Sequence, residues 1–175
     1  GDAVSGTMLA STTQGRYVVE AMNLAGYGIA VPGVHEFDYG VSGLVGTLSK
    51  EAKHQYISCN FTMTANGQTV FKPYVIKTYG SAKVAYIGIS DPQTISKSGA
   101  SFKNSDGSAA YSFADGSGGK KLYEAVQNAI DEAKAAGADY IVAIGHLSTT
   151  GDAAYTPKSV IENTTGIQAF IDGNT

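Results

Sequence analysis

The apolar positions of the chain follow helical spacing in some segments and strand-like runs in others. Between residues 15 and 26, Val18, Val19 and Met22 fall on one helical face, and Gly26 ends the predicted helix. The next segment, "GIAVPG", is a short apolar run of the kind found in buried strands. The pattern therefore predicts a helix that leads directly into a buried strand.

The same alternation continues downstream. "HQYISCN" is predicted to be a second strand, and "YVIKTY" and "VAYIGIS" a hairpin with its turn at "GSAK". Helical spacing from Lys120 predicts a helix that ends at Gly137, followed by the strand "YIVAIG" and a last short strand, "IQAFIDG". The polar segment between Asp91 and Gly119 is predicted to be a long irregular loop. The chain is thus expected to fold as an α/β protein.

Composition narrows the class of protein. With 175 residues, 43% hydrophobic and 15% charged, the chain is long enough for one domain with a core. A net charge of -3 without a run of Lys or Arg argues against nucleic acid or an anionic membrane surface as partner. No stretch approaches the roughly 18 apolar residues of a membrane span. The lone cysteine, Cys59, excludes an internal disulfide and is predicted to be a buried, unreactive thiol.

Polar side chains follow several of the predicted strands. His35 comes after "GIAVPG", His146 after "YIVAIG", and the residues "DGN" after "IQAF". Open α/β sheets place ligand sites at the carboxyl ends of their strands, and imidazole with carboxylate suits a divalent metal such as Zn, Mn or Fe. From the pattern alone, a metal site and a set of ordinary polar loops both remain open.

Several motifs occur in a specific order from the first residue to the last. They are "GDAVSGTMLA", "YVVEAMNLAGYGIAVPGVHEFDYG", "YISCNF", "KPYVIKTYGSAKVAYIGIS", "IVAIGHLS" and "GIQAFIDGNT". As a set, these motifs resemble the N-terminal domain of the 5'-nucleotidase family of calcineurin-like metallophosphoesterases. The resemblance implies a four-layer α/β/β/α sandwich with two divalent metal ions, Zn, Mn or similar, held by loops at the strand ends.

The resemblance also implies roles for individual residues. Asp2 would be the carboxylate that bridges both metals, and His146 would be a ligand of the second metal. His35 and Asp38, in "HEFD", would form the catalytic pair, in which the imidazole assists the leaving group and the carboxylate orients it. Glu36 is assigned to the structure of the loop. His54 matches no motif and is expected to be a solvated surface residue.

Two positions depart from the family pattern. Val34 stands where the family has a metal-ligating asparagine, and an isopropyl group has no lone pair to give. Asn174 stands where the family has a histidine, and an amide oxygen is a weaker ligand than imidazole for transition metals. Asp2 and His146 therefore remain as intact ligands of the second metal, with Asn174 as a weak one.

These departures leave two functions open. The chain resembles the catalytic domain of a phosphohydrolase for nucleotide phosphomonoesters or cyclic phosphodiesters, impaired at its metal site. Alternatively, it is an inactive binding or surface module that keeps the fold. Residues 1–175 are expected to form one domain that begins and ends within motifs, with the family's C-terminal substrate-binding domain lying outside it. The resemblance further implies a nucleotide or other small phosphoester as partner and an exported protein.

Overall fold

The computed structural model describes residues 1–150 and 152–174, which form a mixed α/β fold. The strands are β1 Ile29–Ala30, β2 Gln55–Tyr56, β3 Phe61–Met63, β4 Tyr74–Tyr79, β5 Ala82–Ser90, β6 Tyr111–Phe113, β7 Tyr140–His146 and β8 Ala169–Asp172. The helices are α1 Met8–Thr12, α2 Arg16–Ala25, α3 Gly40–Ser42, α4 Ser49–Glu51, α5 Thr94–Lys97, α6 Lys120–Ala135 and α7 Pro157–Glu162. A π-helical segment, Gly43–Leu48, joins α3 to α4, and the 3-10 turns are His35–Phe37, Ser117–Gly119 and Ala153–Tyr155.

The largest sheet has the strand order β4-β5-β7-β8. The hairpin β4–β5 is antiparallel, whereas β5, β7 and β8 run parallel to one another. Two smaller sheets pair β1 with β2 and β3 with β6. Because β7 and β8 are parallel neighbours, the residues that follow them emerge at the same edge of the sheet.

Helix α6 packs its apolar stripe against one face of the large sheet. Leu122, Val126 and Ile130 are fully buried there together with Ile87 of β5 and Ile141 of β7. The helix ends at Ala135, and Gly137 adopts a φ of 90° directly after it, a conformation that glycine adopts without strain. The helix predicted from Lys120 to Gly137 is confirmed as α6. The predicted hairpin is confirmed as β4–β5, and the last two predicted strands are confirmed as β7 and β8.

A second core is built from phenylalanine rings. Phe37, Phe61, Phe102 and Phe113 are buried, and the rings of Phe61 and Phe113 stack with centroids 4.7 Å apart. This cluster anchors the loop after β1, because Phe37 follows His35 by two residues and is fully buried.

The prediction of a single irregular loop over residues 91–119 is wrong in part. The segment contains α5, and β6 pairs antiparallel with β3, with Phe61 opposite Phe113. Phe102 and Phe113 belong to the phenylalanine cluster. Elements of three or four residues give almost no periodicity, so tertiary packing rather than local pattern defines them.

Two single-residue predictions have opposite outcomes. Cys59 is buried as predicted, and burial raises the pKa of its thiol to about 12. The prediction that His54 is a surface residue is wrong. Its side chain is buried, with its ring 4.8 Å from that of Tyr56, and burial lowers its pKa. None of the helices in the described ranges combines the length and apolar character that crossing a membrane requires.

Candidate functional site

The loop after β1 is fixed by a buried carboxylate. Glu36 is 1% exposed and accepts hydrogen bonds from the backbone N–H groups of Asp2 at 2.6 Å, Ala3 at 2.8 Å and Gly33 at 2.6 Å. These bonds join the start of the chain to the loop more than thirty residues away. The structural role predicted for Glu36 is confirmed.

Asp2 lies between two histidines. Its Oδ1 accepts a hydrogen bond from the backbone N–H of His35 at 2.8 Å, and its Oδ2 lies 3.0 Å from Nε2 of His146. Partial burial raises the pKa of Asp2, but the hydrogen bonds and charges of His146 and His35 outweigh it and hold this pKa at about 2. Asp2 is therefore ionised at physiological pH, the form in which a carboxylate ligates a metal.

Asp2 also leaves room only for a glycine opposite it. A Cβ on Gly33 would lie 2.4 Å from Oδ1 of Asp2 and 2.8 Å from Cδ2 of His146. Because real Cβ atoms do not approach other atoms so closely, Gly33 is the residue that permits the contact between Asp2 and His146.

His35 and Asp38 form a second acid–imidazole pair, on the accessible side of the loop. Nδ1 of His35 lies 2.9 Å from Oδ2 of Asp38, which also accepts a hydrogen bond of 2.7 Å from the hydroxyl of Ser5. The hydrogen bond and charge of Asp38 raise the pKa of His35. Since Nδ1 is engaged with the carboxylate, Nε2 is the ring nitrogen left for a ligand, and the side chain is 54% exposed.

The end of β7 contributes a buried imidazole. His146 is 1% exposed, and its Nδ1 has no hydrogen-bond partner within residues 1–150 and 152–174. A buried ring nitrogen without a partner is uncommon, because the lost hydration is not replaced. His146 is thus held by Asp2 on one side only.

The end of β8 contributes an acid that sequence reasoning did not single out. Oδ1 of Asp172 accepts a hydrogen bond from the N–H of Leu147 at 2.8 Å, while its Oδ2 is buried without a partner in the part of the chain that the structure describes. Burial raises the pKa of Asp172, against the lowering effects of the Leu147 and Asn174 backbone amides and of His146. The position of "DGN" after an apolar strand was the signal that could have identified it.

The structure thus brings most of the predicted site residues together. Hydrogen bonds link Asp38 to His35, the backbone of His35 to Asp2, and Asp2 to His146. Asn174 follows β8 by two residues, so the end of β8 brings it to the same edge of the sheet. Val34 directly precedes His35 in the chain and has only an isopropyl group.

The described residues do not complete the two-metal centre that the resemblance implies. Within residues 1–150 and 152–174, no group of three or more His, Cys, Asp or Glu side chains is placed to hold a metal ion. Asp2 and His146 supply two donors, fewer than the three or four protein ligands of typical zinc sites.

Comparison with known proteins identifies the fold and its relatives. No family model matches the chain. Bovine 5'-nucleotidase is 26% identical to the chain over 182 residues, which cover 99% of the chain and 28% of the relative. The trifunctional nucleotide phosphoesterase YfkN of Bacillus subtilis is 31% identical over 94% of the chain and 11% of its own length. The crystal structure of YfkN, a calcineurin-like phosphoesterase, matches 99% of the chain and 56% of its own chain with a TM-score of 0.79 and 28% identity.

The chain is homologous to the 5'-nucleotidases and has the calcineurin-like phosphoesterase fold. The predicted fold class is confirmed by this match. A snake venom 5'-nucleotidase from Gloydius brevicauda is 38% identical over 98 residues, 54% of the chain and 17% of the relative. The chain spans less than a third of the length of the curated relatives that it matches.

Proposed function

We propose that the chain is the hydrolytic module of a 5'-nucleotidase-type, metal-dependent phosphohydrolase whose activity is impaired at the metal ligands. The observation that carries the proposal is the pair of His35 and Asp38, with 2.9 Å between Nδ1 and Oδ2, joined through the His35 backbone to Asp2 and His146. The relatives are named for nucleotides, so the proposed substrates are nucleotide phosphomonoesters or cyclic phosphodiesters.

His35 is the proposed catalytic group. Because Asp38 raises its pKa, the imidazole retains its proton to a higher pH than a free histidine. A cationic ring beside a phosphoester stabilises developing negative charge and can give its proton to the leaving oxygen. The exposure of His35 lets a phosphoester reach the ring from solvent.

Asp38 is proposed as the group that orients His35. Its carboxylate contacts Nδ1, which directs the other ring nitrogen toward the ligand. The hydroxyl of Ser5 holds the same carboxylate oxygen from the other side. His35 and Ser5 therefore bind the same carboxylate oxygen of Asp38.

The proposed impairment follows from the side chains that are available to ligate a metal ion. Val34 cannot ligate, and the amide of Asn174 is a poorer ligand than imidazole for Zn or Mn. Asp2 and His146 are the remaining candidate ligands. Divalent metal binding by the chain is proposed to be weak for this reason.

A second candidate function is phosphoester binding without turnover. One observation favours it: the Asp2 carboxylate and the His146 imidazole satisfy each other directly at 3.0 Å. A metal would bind Nε2 of His146 only in place of the proton that this hydrogen bond uses. In that case the fold would serve as a binding or surface module.

The two candidates are separated by assaying adenosine 5'-monophosphate and a cyclic nucleotide with Mn²⁺, alongside equilibrium binding of the same nucleotides. Impaired hydrolysis predicts slow, metal-dependent turnover that is lost in His35→Ala and Asp38→Asn, whereas the exposed-loop control Asp106→Asn behaves as the native chain. Binding that His35→Ala weakens, with no turnover, would favour the binding module. Turnover that survives His35→Ala would contradict the catalytic role of His35.

We also propose a domain organisation and a cellular location for the whole protein. We place residues 1–175 in a single domain and assign nucleoside specificity to polypeptide outside it, because the relatives are more than three times as long. Export is proposed because the relatives include venom 5'-nucleotidases. Fractionation of the native host, with an antibody against this domain, would contradict export by finding the protein only in the cytoplasm.

A further inference from the structure

One buried polar side chain lies outside the candidate functional site and makes no hydrogen bond. His54 is 3% exposed, and both of its ring nitrogens lack a hydrogen-bond partner within residues 1–150 and 152–174. A neutral imidazole has one N–H donor and one acceptor, whereas a protonated imidazole has two donors and a charge. Burying an unpaired polar group costs free energy, and burying an unpaired charge costs much more. A proton on His54 would therefore destabilise the buried position of the ring.

The ring of His54 packs against an aromatic side chain. Its centroid lies 4.8 Å from that of Tyr56, with 64° between the two planes. Tyr56 is itself buried, in the cluster that contains Phe37 and Phe61. Burial raises the pKa of Tyr56, so this neighbour is uncharged in acid as well as at neutral pH. The contact is apolar packing and supplies no acceptor for a second N–H of the imidazole.

The charged groups near His54 do not offset its burial. Burial lowers the pKa of His54, and the opposing effect of the negative charge on Glu36 is smaller. Both oxygens of Glu36 already accept hydrogen bonds from backbone N–H groups. On the segment of His54 itself, Lys53 is exposed and Glu51 pairs with Arg16 of α2. These groups leave the buried imidazole without an anion of its own.

The segment that carries His54 is fixed on both sides by a single side chain. It lies between α4 and β2, and Asn23 of α2 binds it through both ends of its amide. Nδ2 of Asn23 donates to the carbonyl of Glu51 at 2.9 Å, and Oδ1 accepts from the N–H of Lys53 at 2.6 Å. Neither bond involves the ring of His54, so the ring is held in place by packing alone.

The strand that follows His54 is also short. Strand β2 has two residues, and its N–H of Gln55 donates to the carbonyl of Gly28 at 3.1 Å. The next bond to β1, from Ile57 to Ala30 at 2.9 Å, lies beyond the strand. Segments with few backbone hydrogen bonds open locally at a lower free energy than long strands and helices do. Residues 52–55 can therefore open without unfolding the large sheet.

These features place a group that resists protonation on a segment with few hydrogen bonds. In water the exposed imidazole takes up a proton near its ordinary pKa of 6.5, whereas the buried ring has no partner for the added N–H. We propose that His54 is an acid-sensitive switch: below neutral pH its ring takes up a proton, leaves its buried position for water, and opens residues 52–55. The proposal does not depend on hydrolysis.

The direction of the pH effect follows from the burial. Because the pKa of His54 is lower in the closed segment than in water, its contribution to stability is full above pH 6.5 and is lost as pH falls below that value. His35 has the opposite sign, since Asp38 raises its pKa and its contribution is lost as pH rises above 6.5. A variant of His54 therefore isolates the acid effect from that of His35.

The test is amide hydrogen exchange of the isotopically labelled chain between pH 7 and pH 5, expressed as protection factors because the intrinsic exchange rate also varies with pH. In the native chain, the protection of the Lys53 and Gln55 amides is expected to fall at least about tenfold from pH 7 to pH 5. In His54→Phe, which keeps an aromatic ring but cannot be protonated, their protection is expected to stay constant. Lys53→Gln, which removes an exposed neighbouring charge, is expected to behave as the native chain.

The amides of Val126 and Ile130 in α6 report global unfolding, because both residues are fully buried in the main core. Lys53 and Gln55 are expected to be less protected than these two amides at every pH, since their opening is local. Equal protection of all four amides would overturn the proposal, because opening would then be global.

Two further outcomes would also overturn the proposal. Constant protection of Lys53 and Gln55 in the native chain would show that the ring accepts a proton without opening the segment. An equal loss of protection in the native chain and His54→Phe would assign the effect to another group. Circular dichroism verifies the fold of each variant, and His54→Leu, with a smaller side chain, provides the same comparison if phenylalanine does not fit.

Discussion

The site has two halves that differ in how completely their polar groups are paired. In the half after β1, His35 contacts Asp38, Asp38 also binds Ser5, and Glu36 holds three backbone amides. In the half at the ends of β7 and β8, Nδ1 of His146 and Oδ2 of Asp172 are buried without partners in the described residues. The half after β1 is a connected hydrogen-bond network, whereas the half at the ends of β7 and β8 retains buried polar atoms without partners in the described residues.

This difference matches where the sequence departs from the family pattern. His35 and Asp38 stand at the positions that the resemblance assigns to the catalytic pair. Val34 and Asn174 both fall on ligands that the resemblance assigns to one metal. We infer that the half able to assist a leaving group is retained, while the half that would hold the metal is weakened.

The largest expected effect comes from removing the residue that ties the start of the chain to the loop after β1. Glu36→Ala would leave three backbone donors without their buried carboxylate, and we expect a loss of about 3–5 kcal/mol in the free energy of unfolding. Urea denaturation measures it. The exposed control Glu20→Ala is expected to change the same quantity by less than about 0.5 kcal/mol. A loss of under about 1 kcal/mol for Glu36→Ala would mean that this link is dispensable.

A smaller effect is expected from the ionisation of Asp2 at the boundary between the halves. Its folded pKa of about 2 lies below the ordinary 3.8, so its contribution is present above pH 3.8 and is lost as pH falls through about 2. Because the side chain is partly exposed, we expect about 1 kcal/mol after solvent screening.

Urea denaturation of the native chain and Asp2→Asn at several pH values tests this contribution. The difference in free energy of unfolding between them should be full at neutral pH and should shrink between pH 4 and pH 2. Asp131→Asn, at an exposed aspartate of α6, serves as the control. A difference that stays constant with pH would rule out Asp2 as the titrating group.

The smallest expected effect concerns the exposed half. Asp38 raises the pKa of His35, so the pair stabilises the fold below the ordinary histidine pKa and loses this effect as pH rises through the folded pKa. An exposed pair of this kind contributes less than about 1 kcal/mol. By NMR titration, the His35 pKa is expected to fall in Asp38→Asn and to stay unchanged in Asp106→Asn. An unchanged pKa in Asp38→Asn would show that Asp38 does not polarise the ring.

The elements predictable from sequence were those with strong periodicity. Helix α6 repeats its apolar residues over sixteen positions, and the hairpin β4–β5 has two strands separated by a glycine-containing turn. Strand β6 and helix α5 were missed because they are short and depend on contacts with β3 and the phenylalanine cluster. Local pattern carries no information about such partners.

The site residues that stand in local motifs were predictable from the sequence, whereas contacts made only by the folded chain were not. Motifs located His35, Asp38, Asp2 and His146 because their spacing is local or their order is specific. The burial of His54 was missed because nothing adjacent in sequence reveals the ring of Tyr56 that covers it. The unpaired oxygen of Asp172 was missed because the pairing of a carboxylate is a property of the folded strand ends.

The most direct test of the weakened metal half is a titration with Mn²⁺ and Zn²⁺, with thermal unfolding as the readout, of the native chain and the double variant Val34→Asn/Asn174→His. Val34 has helical backbone angles, with φ -63° and ψ -43°, which asparagine also adopts. We expect the double variant to gain about 2.7 kcal/mol when metal is at a hundred times its dissociation constant, while the native chain gains little at the same metal concentration. Equal stabilisation of both proteins would contradict the account, because it would show that Val34 and Asn174 do not weaken the site.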